Sequence, residues 1–259
     1  MRELARNRSI ETYGPPSTSI EKALAVLAAF NGPRHSRGIN ELATELGLPR
    51  PTLHRILKQL MKWGFVDQLP SSRYQIGMQV FELGTLVYHR MRLRHAAVTH
   101  LHSLYQRTGY SVYLSICAGD EVLHLDCLPA KGRPAIPARA GGRWNMHCSS
   151  VGKVLLAHAP REKVQDYISR PLRPLTKYSI REPGRLLEHL ECVRNAGYGE
   201  TVEESILGVF GVAAGIRNRK NNVVAAVCIA GSNRNLLADR DKVVRAANAI
   251  SQELRFSFD

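Results

Sequence analysis

Three stretches of this 259-residue chain hold side chains that could do chemistry. In GGRWNMHCSSVGKVLLA, Gly141 to Ala157, a His-Cys pair is followed by two serines and a Gly-Lys. His147 beside Cys148 invites a thiolate with an imidazole base, but neighbours in sequence seldom meet in the geometry a nucleophile and its base require. Gly152-Lys153 suggests a phosphate loop, yet G-x-x-x-x-G-K-S/T needs glycine where His147 stands and Ser or Thr where Val154 stands. What survives is a Ser-rich turn opening a helix, whose free N–H groups at Ser149, Ser150, Val151 and Gly152 can face a small anion such as a carboxylate. An ordinary Ser-capped helix satisfies the same pattern.

The second stretch, GYGETVEESILGVFGVAAGI from Gly197 to Ile216, places Glu203 and Glu204 before a Gly-punctuated apolar segment. Adjacent carboxylates point in different directions on most backbones, which argues against paired acid/base work. The third, RPTLHRILKQLMK from Arg50 to Lys62, is of another kind. At 100° per residue, Leu53, Ile56, Leu57 and Leu60 fall in one arc, while Arg55, Lys58 and Lys62 with Pro51 point away from it. Thr52 and Gln59 flank the basic row on one side, Arg50 and His54 on the other. One face needs a core and the other a polyanion.

The elements around these stretches say what positions them. A helix starting near Ser17 to Ser19 has apolar residues Ile20, Ala23, Leu24, Leu27 and Phe30 at helical spacing and closes at Asn31-Gly32-Pro33. A short second helix from Ile39 turns Leu42, Ala43 and Leu46 inward and stops at Gly47. Two helices joined through a Gly-containing turn form a helix-turn-helix whose second helix enters the DNA major groove. FVDQLPSSRYQIG then alternates around Pro70-Ser71-Ser72 as a hairpin, or wing, and Met78 to Arg94 reads as a helix suited to a dimer seam or to its own domain. From about Ala97 the pattern is helix at Leu101 to Thr108, a hairpin of Ser111 to Cys117 and Val122 to Cys127, and helices at Val151 to His158, Arg161 to Ser169 and Leu186 to Ala196. A strand pair of Val212 to Ile216 and Val223 to Ala230 and a C-terminal helix from Asp239 to about Arg255 complete an α+β order with antiparallel strands.

Composition narrows the partners. The formal charge is +14, and residues 1–94 carry 14 Lys and Arg against 7 Asp and Glu, so positive charge is densest near the N-terminus, as a nucleic-acid footprint would be. The five cysteines are odd in number and lack a C-x-x-C pair, which argues against a disulfide framework and a zinc knuckle and for a reducing compartment. No secretory h-region or apolar run of membrane length is present, so a cytoplasmic chain without membrane contact is expected; the chain shows no clear metal-ligand set, and neither metal nor cofactor is expected.

In combination, SIEKALAVLAAF, GLPRPTLHRILKQLMKWGFV, RYQIG, HCSSVGKVLLA and GYGETVEES resemble the IclR-type transcriptional regulators, in order and at family-like spacing from about Ser17 to Leu254. The resemblance implies a non-enzymatic, ligand-responsive regulator of a catabolic operon. It implies a winged helix-turn-helix domain over 17–77, a linker helix over 78–96 and a GAF-like effector-binding domain with an antiparallel sheet over 97–259, while the polar stretch 1–16 ending in Gly14-Pro15-Pro16 reads by composition as a disordered arm. Its partners would be double-stranded operator DNA, a small organic or aromatic acid, and a second copy or three more. Carried over by position, Arg50, Pro51, Thr52, His54 and Arg55 would read DNA and Arg73 in the wing would hold phosphate. Ile136, Trp144, Ser150, Val151, Thr201, Val209, Gly211, Cys228 and Ala230 would line the effector cavity. Members that take very small keto acids are more polar where this chain has Thr201, Cys228 and Ala230, so a larger or more apolar acid is expected. Two other readings stay open on residues alone: a Cys/His hydrolase built on Cys148, and a constitutive DNA-binding protein whose larger domain only oligomerises.

Overall fold

The computed structural model describes residues 14–31, 36–89, 92–131, 136 and 138–256. Most of the arm expected over 1–16 lies outside them, as does Gly32-Pro33. The chain divides into two compact units, Met1–Arg90 and Met91–Asp259.

In the first unit, α1 (Ser19–Ala29) starts at a capping box: Thr18 Oγ1 accepts from Glu21 N–H, and the Glu21 carboxylate accepts from Thr18 N–H at 2.9 Å. Helix α2 (Ile39–Leu46) stops where Gly47 takes a left-handed φ of 62°, open to glycine without strain. Helix α3 (Arg50–Lys62) follows at once, with Pro51 in the first turn, where its missing N–H would have had no intrahelical acceptor. Strands β1 (Val66–Gln68) and β2 (Tyr74–Ile76) form the two-stranded wing, and Arg37 adds a bridge to Tyr74. Val26, Leu42, Leu53, Leu57, Val66 and Tyr74 close one core beneath all three helices.

The face of α1 differs from the expected one. Of the expected positions Phe30 is buried and Ala23 and Leu27 pack on the core, but Ala25, Val26 and Ala29 are buried as well, whereas Ile20 and Leu24 are 74% and 60% exposed. SIEKALAVLAA is apolar around most of its circumference, so periodicity could not choose between two apolar faces. Residues 90 and 91 of the helix expected over Met78 to Arg94 lie outside the described residues. Helix α4 (Met78–His89) belongs to the first unit, and Arg92 to Arg94 open α5 (Arg92–Thr108) of the second, which is longer than the Leu101–Thr108 expected. The buried Ala96, Ala97, Leu101 and Leu104 account for that length, because their small and leucine side chains continue one packed face.

The second unit is built on a six-stranded, wholly antiparallel sheet in the order β5-β4-β3-β8-β7-β6. Its strands are β3 (Ser111–Ala118), β4 (Glu121–Leu128), β5 (Arg143–Asn145), β6 (Tyr198–Val202), β7 (Phe210–Arg217) and β8 (Val223–Gly231). One face packs Val112, Leu114, Val212, Val227 and Ile229 against α5 and the C-terminal α9 (Arg240–Phe256), which a 3-10 turn at Arg234–Asp239 leads into. The other face meets α6 (Ser150–Ala157), α7 (Arg161–Ile168) and α8 (Pro183–Ala196). Strands β5 and β6 are additions to the expected set. The first is three residues with one apolar side chain, and the second carries Gly199 and Thr201 on its inner side, so neither shows clear alternation. No described helix is long and apolar enough to cross a membrane.

Candidate DNA-reading helix and ligand pocket

Helix α3 is held from below. Leu53 and Leu57 have no exposed surface and Ile56 very little, each contributing about 1.5 to 3 kcal/mol by burial. On the outer side Arg50, Pro51, His54, Arg55, Lys58 and Lys62 are exposed and Thr52 is half-buried. Among the described residues, Arg50, Arg55, Lys58 and Lys62 have no ionic partner. The helix therefore offers two guanidinium and two ammonium groups to solvent, the guanidinium groups in its first two turns and the ammonium groups beyond them.

The wing is clamped rather than free. Arg37 and Tyr74 exchange backbone hydrogen bonds at 2.8 Å, and the Arg37 side chain donates to the Ala29 carbonyl and to Glu45. Arg73, expected to hold phosphate, donates to both carboxylate oxygens of Glu41 at 3.2 and 3.1 Å and to the Ser36 carbonyl at 2.8 Å. Its guanidinium fixes the wing against the start of α2, so any phosphate reaching it must share it with Glu41.

In the second unit, the inner face of the sheet carries a floor of mostly small side chains in two rows. Ladder pairing aligns Thr201, Gly211, Ala230 and Ser111 across β6, β7, β8 and β3, and beside them Ala213, Cys228, Tyr113 and Cys127. The start of α6 comes down on this floor. A Cβ placed on Gly211 would stand 2.9 Å from Thr201 Oγ1 and 3.0 Å from Ser150 Oγ, so two buried hydroxyls converge on the position that a glycine leaves without a side chain. Ser149 caps the helix: its Oγ accepts from Gly152 N–H at 3.0 Å and its carbonyl from Lys153 N–H. Ser150 and Val151 N–H are left without an intrahelical acceptor, at the positive end of the dipole. Gly152 permits this approach, since a Cβ there would lie 2.2 Å from the Met146 carbonyl oxygen.

Of the residues expected to line a cavity, Ser150, Thr201, Gly211, Cys228 and Ala230 thus meet in one place, and Val151 packs in the same cluster. Val209 accepts from Glu203 N–H at the turn between β6 and β7. Trp144 stands toward the β5 edge, opposite Val122, with its ring centroid 6.3 Å from His124. Ile136 lies on the loop leading to Ala138, whose carbonyl accepts from Cys127 Sγ at 3.5 Å.

Sequence reasoning missed Tyr113, His124, Ser115 and Cys127. Tyr113 and His124 rings lie 4.9 Å apart, and Ser115 Oγ is 2.7 Å from His124 Nδ1. Burial pushes the Tyr113 hydroxyl up, the Cys127 thiol up to about 11 and the His124 imidazole down to about 4. At neutral pH all three are uncharged, so the helix start and its hydroxyls are the features of this floor that favour an anion. The signal available was alternation in Ser111 to Cys117, which puts Ser111, Tyr113 and Ser115 on one side.

The Cys/His arrangement is not assembled. His147 Nε2 donates to the Arg173 carbonyl at 3.1 Å, leaving Nδ1 to accept from Tyr167 hydroxyl at 2.7 Å, and burial raises the Cys148 thiol pKa. Among the described residues no group of His, Cys, Asp and Glu is arranged to hold a metal ion.

Residues 85–255 match the family model described as bacterial transcriptional regulator IclR C-terminal, and residues 19–70 match the IclR helix-turn-helix domain. The chain is 30% identical over 249 residues to the HTH-type transcriptional regulator XynR of Escherichia coli K12, covering 93% of this chain and 99% of that protein. It is 31% identical to the glycerol operon regulatory protein of Streptomyces coelicolor, covering 91% and 96%. Among solved structures, an IclR homolog from Microbacterium hydrocarbonoxydans complexed with 4-hydroxybenzoate superposes with a TM-score of 0.84 at 27% identity, covering 93% of this chain and all of that one.

Proposed function

The chain belongs to the IclR family of bacterial DNA-binding transcriptional regulators, which are not enzymes, and on that premise we propose that it controls a catabolic operon in the cytoplasm in response to an aromatic carboxylate. Arg50, Pro51, Thr52, His54 and Arg55 face the base edges from α3, and Lys58 and Lys62 face phosphate. Two copies present two such helices. Exposed Ile20 and Leu24 on α1 and Met78, Phe81 and Leu86 on α4 supply apolar surface for that pairing.

The observation that carries the ligand reading is the convergence of the Ser150 and Thr201 hydroxyls over Gly211, beneath the start of α6. The carboxylate sits at those hydroxyls and the Ser150 and Val151 N–H groups. The ring lies over Ala213, Cys228 and Ala230 toward Tyr113 and Trp144. Val209 and Ile136 flank the mouth. The bound 4-hydroxybenzoate of the Microbacterium relative is an acid of this shape. A thermal-shift titration of the full chain with 4-hydroxybenzoate and related benzoates tests this, because a ligand bound only by the folded state raises its melting temperature. No shift with any aromatic acid would instead favour a regulator whose larger domain only oligomerises.

A further inference from the structure

We propose that the buried Lys153–Glu204 ion pair is a positioning device, setting the spacing of the Ser150 and Thr201 hydroxyls and through it the strength of ligand binding. The inference rests on the pocket reading above for its consequence, and on the geometry of the pair for its cause. Lys153 is fully buried on α6, one turn beyond Ser150 and on the same side of the helix. Glu204 is also buried, three residues beyond Thr201 and past the end of β6. Lys153 Nζ donates to Glu204 Oε1 at 2.6 Å and to His189 Nε2 at 3.2 Å. Each hydroxyl of the pocket thus lies three residues from one end of the same buried ionic contact.

The segment bearing Glu204 is otherwise held from its far side. Thr176 Oγ1 donates to the Glu203 carbonyl at 2.7 Å and Ser179 Oγ to the Glu204 carbonyl at 2.7 Å. Glu203 takes a left-handed φ of 57°, a conformation that a non-glycine residue keeps only where its surroundings impose it. Glu204 Oε2 is buried with no hydrogen-bond partner among the described residues, so Lys153 is the cation that compensates this carboxylate.

A buried ion pair is a poor stabiliser, since desolvation offsets most of its Coulomb attraction. Burial indeed lowers the Lys153 pKa, with Glu204 acting in the opposite direction. What such a pair provides over two apolar side chains is a directional contact of fixed length. Here that length ties the start of α6 to the end of β6.

The test compares the full-length wild type with Lys153→Met, Glu204→Gln and the double variant Lys153→Met/Glu204→Leu, by hydrogen exchange and by calorimetric titration with 4-hydroxybenzoate. The apolar double variant removes both charges, so its melting temperature stays near that of wild type. If the pair positions the walls, exchange in residues 149–154 and 199–205 of the double variant still quickens by roughly tenfold or more. Its affinity for the acid falls by roughly the same factor. Wild-type exchange rates in both segments of the double variant overturn the proposal, whether or not the acid binds. Should the double variant not fold, Lys153→Met/Glu204→Gln gives the same readout, because it keeps the Glu204 side-chain shape and leaves neither charge buried alone. Faster exchange together with no acid binding by wild type leaves the positioning role standing and removes the aromatic-acid reading.

Discussion

Thr201 faces Gly211 across the β6–β7 ladder, with its hydroxyl 2.9 Å from the point where a Cβ on Gly211 would sit. A methyl group added there displaces either this hydroxyl or that of Ser150, since both already crowd the position. Gly211→Ala is therefore expected to weaken aromatic-acid binding by roughly tenfold, about 1.4 kcal/mol, while DNA binding without ligand is unchanged. Titration calorimetry and operator binding of the same preparation check the two halves. An alanine variant that binds the acid like wild type would place the ligand elsewhere.

On α3 the exposed guanidinium groups divide from the ammonium groups by position. Arg50→Ala or Arg55→Ala is expected to cost about 1 to 3 kcal/mol in operator binding and to relax preference at one base pair. Lys62→Ala, at the far end of the helix, lowers affinity evenly across sequences and reduces the salt slope by about one unit. Gel-shift titrations over a salt series measure both, and equal behaviour of the Arg55 and Lys62 variants would remove the distinction.

Ile20 and Leu24 are exposed on α1 although they belong to a run of apolar residues. If they cover a second copy, the double substitution Ile20→Glu/Leu24→Glu shifts the full chain toward monomer in sedimentation and lowers operator affinity without lowering the melting temperature of the first unit. A variant that sediments like wild type would assign these side chains to another role.

Burial holds His124 down to about 4 from an ordinary value of 6.5. Between those values the unfolded chain binds a proton that the folded chain does not. The contribution of this group to stability is complete above pH 6.5, declines as pH falls toward 4, and amounts to about 3 kcal/mol over the window. His124→Gln should flatten that part of the profile, which urea unfolding at about pH 7.5 and about pH 5 would detect. His189, held down to about 4 by burial and the nearby Lys153, keeps some slope in the variant. An unchanged slope would show that His124 exchanges its proton freely in the folded state.

What the sequence made legible follows from how local each signal is. The amphipathic α3, the Gly47 stop and the β3–β4 and β7–β8 hairpins rest on side chains close together in the chain, and their burial agrees with their spacing. The face of α1 and the extent of α5 depend on what packs against them. Ser150 and Gly211, which are proposed to line the pocket, sit in stretches that the resemblance singles out, and their contacts bring them together with Thr201. Tyr113 and His124 could not be found that way, because their nearness depends on the register of β3 against β4, where a bulge at Leu114/Ser115 sets Ser115 opposite His124. The Lys153–Glu204 pair spans 51 positions and has no local signature.

In the proposed regulator, acid bound above Gly211 changes how α3 holds DNA. Fluorescence anisotropy with a duplex selected by the protein from a random pool, at fixed salt, with and without saturating 4-hydroxybenzoate, tests it most directly. Operator affinity is expected to change by roughly fivefold or more in wild type, and that change to be lost in Gly211→Ala at the same acid concentration. Identical operator affinity with and without an acid that calorimetry shows to be bound would contradict it.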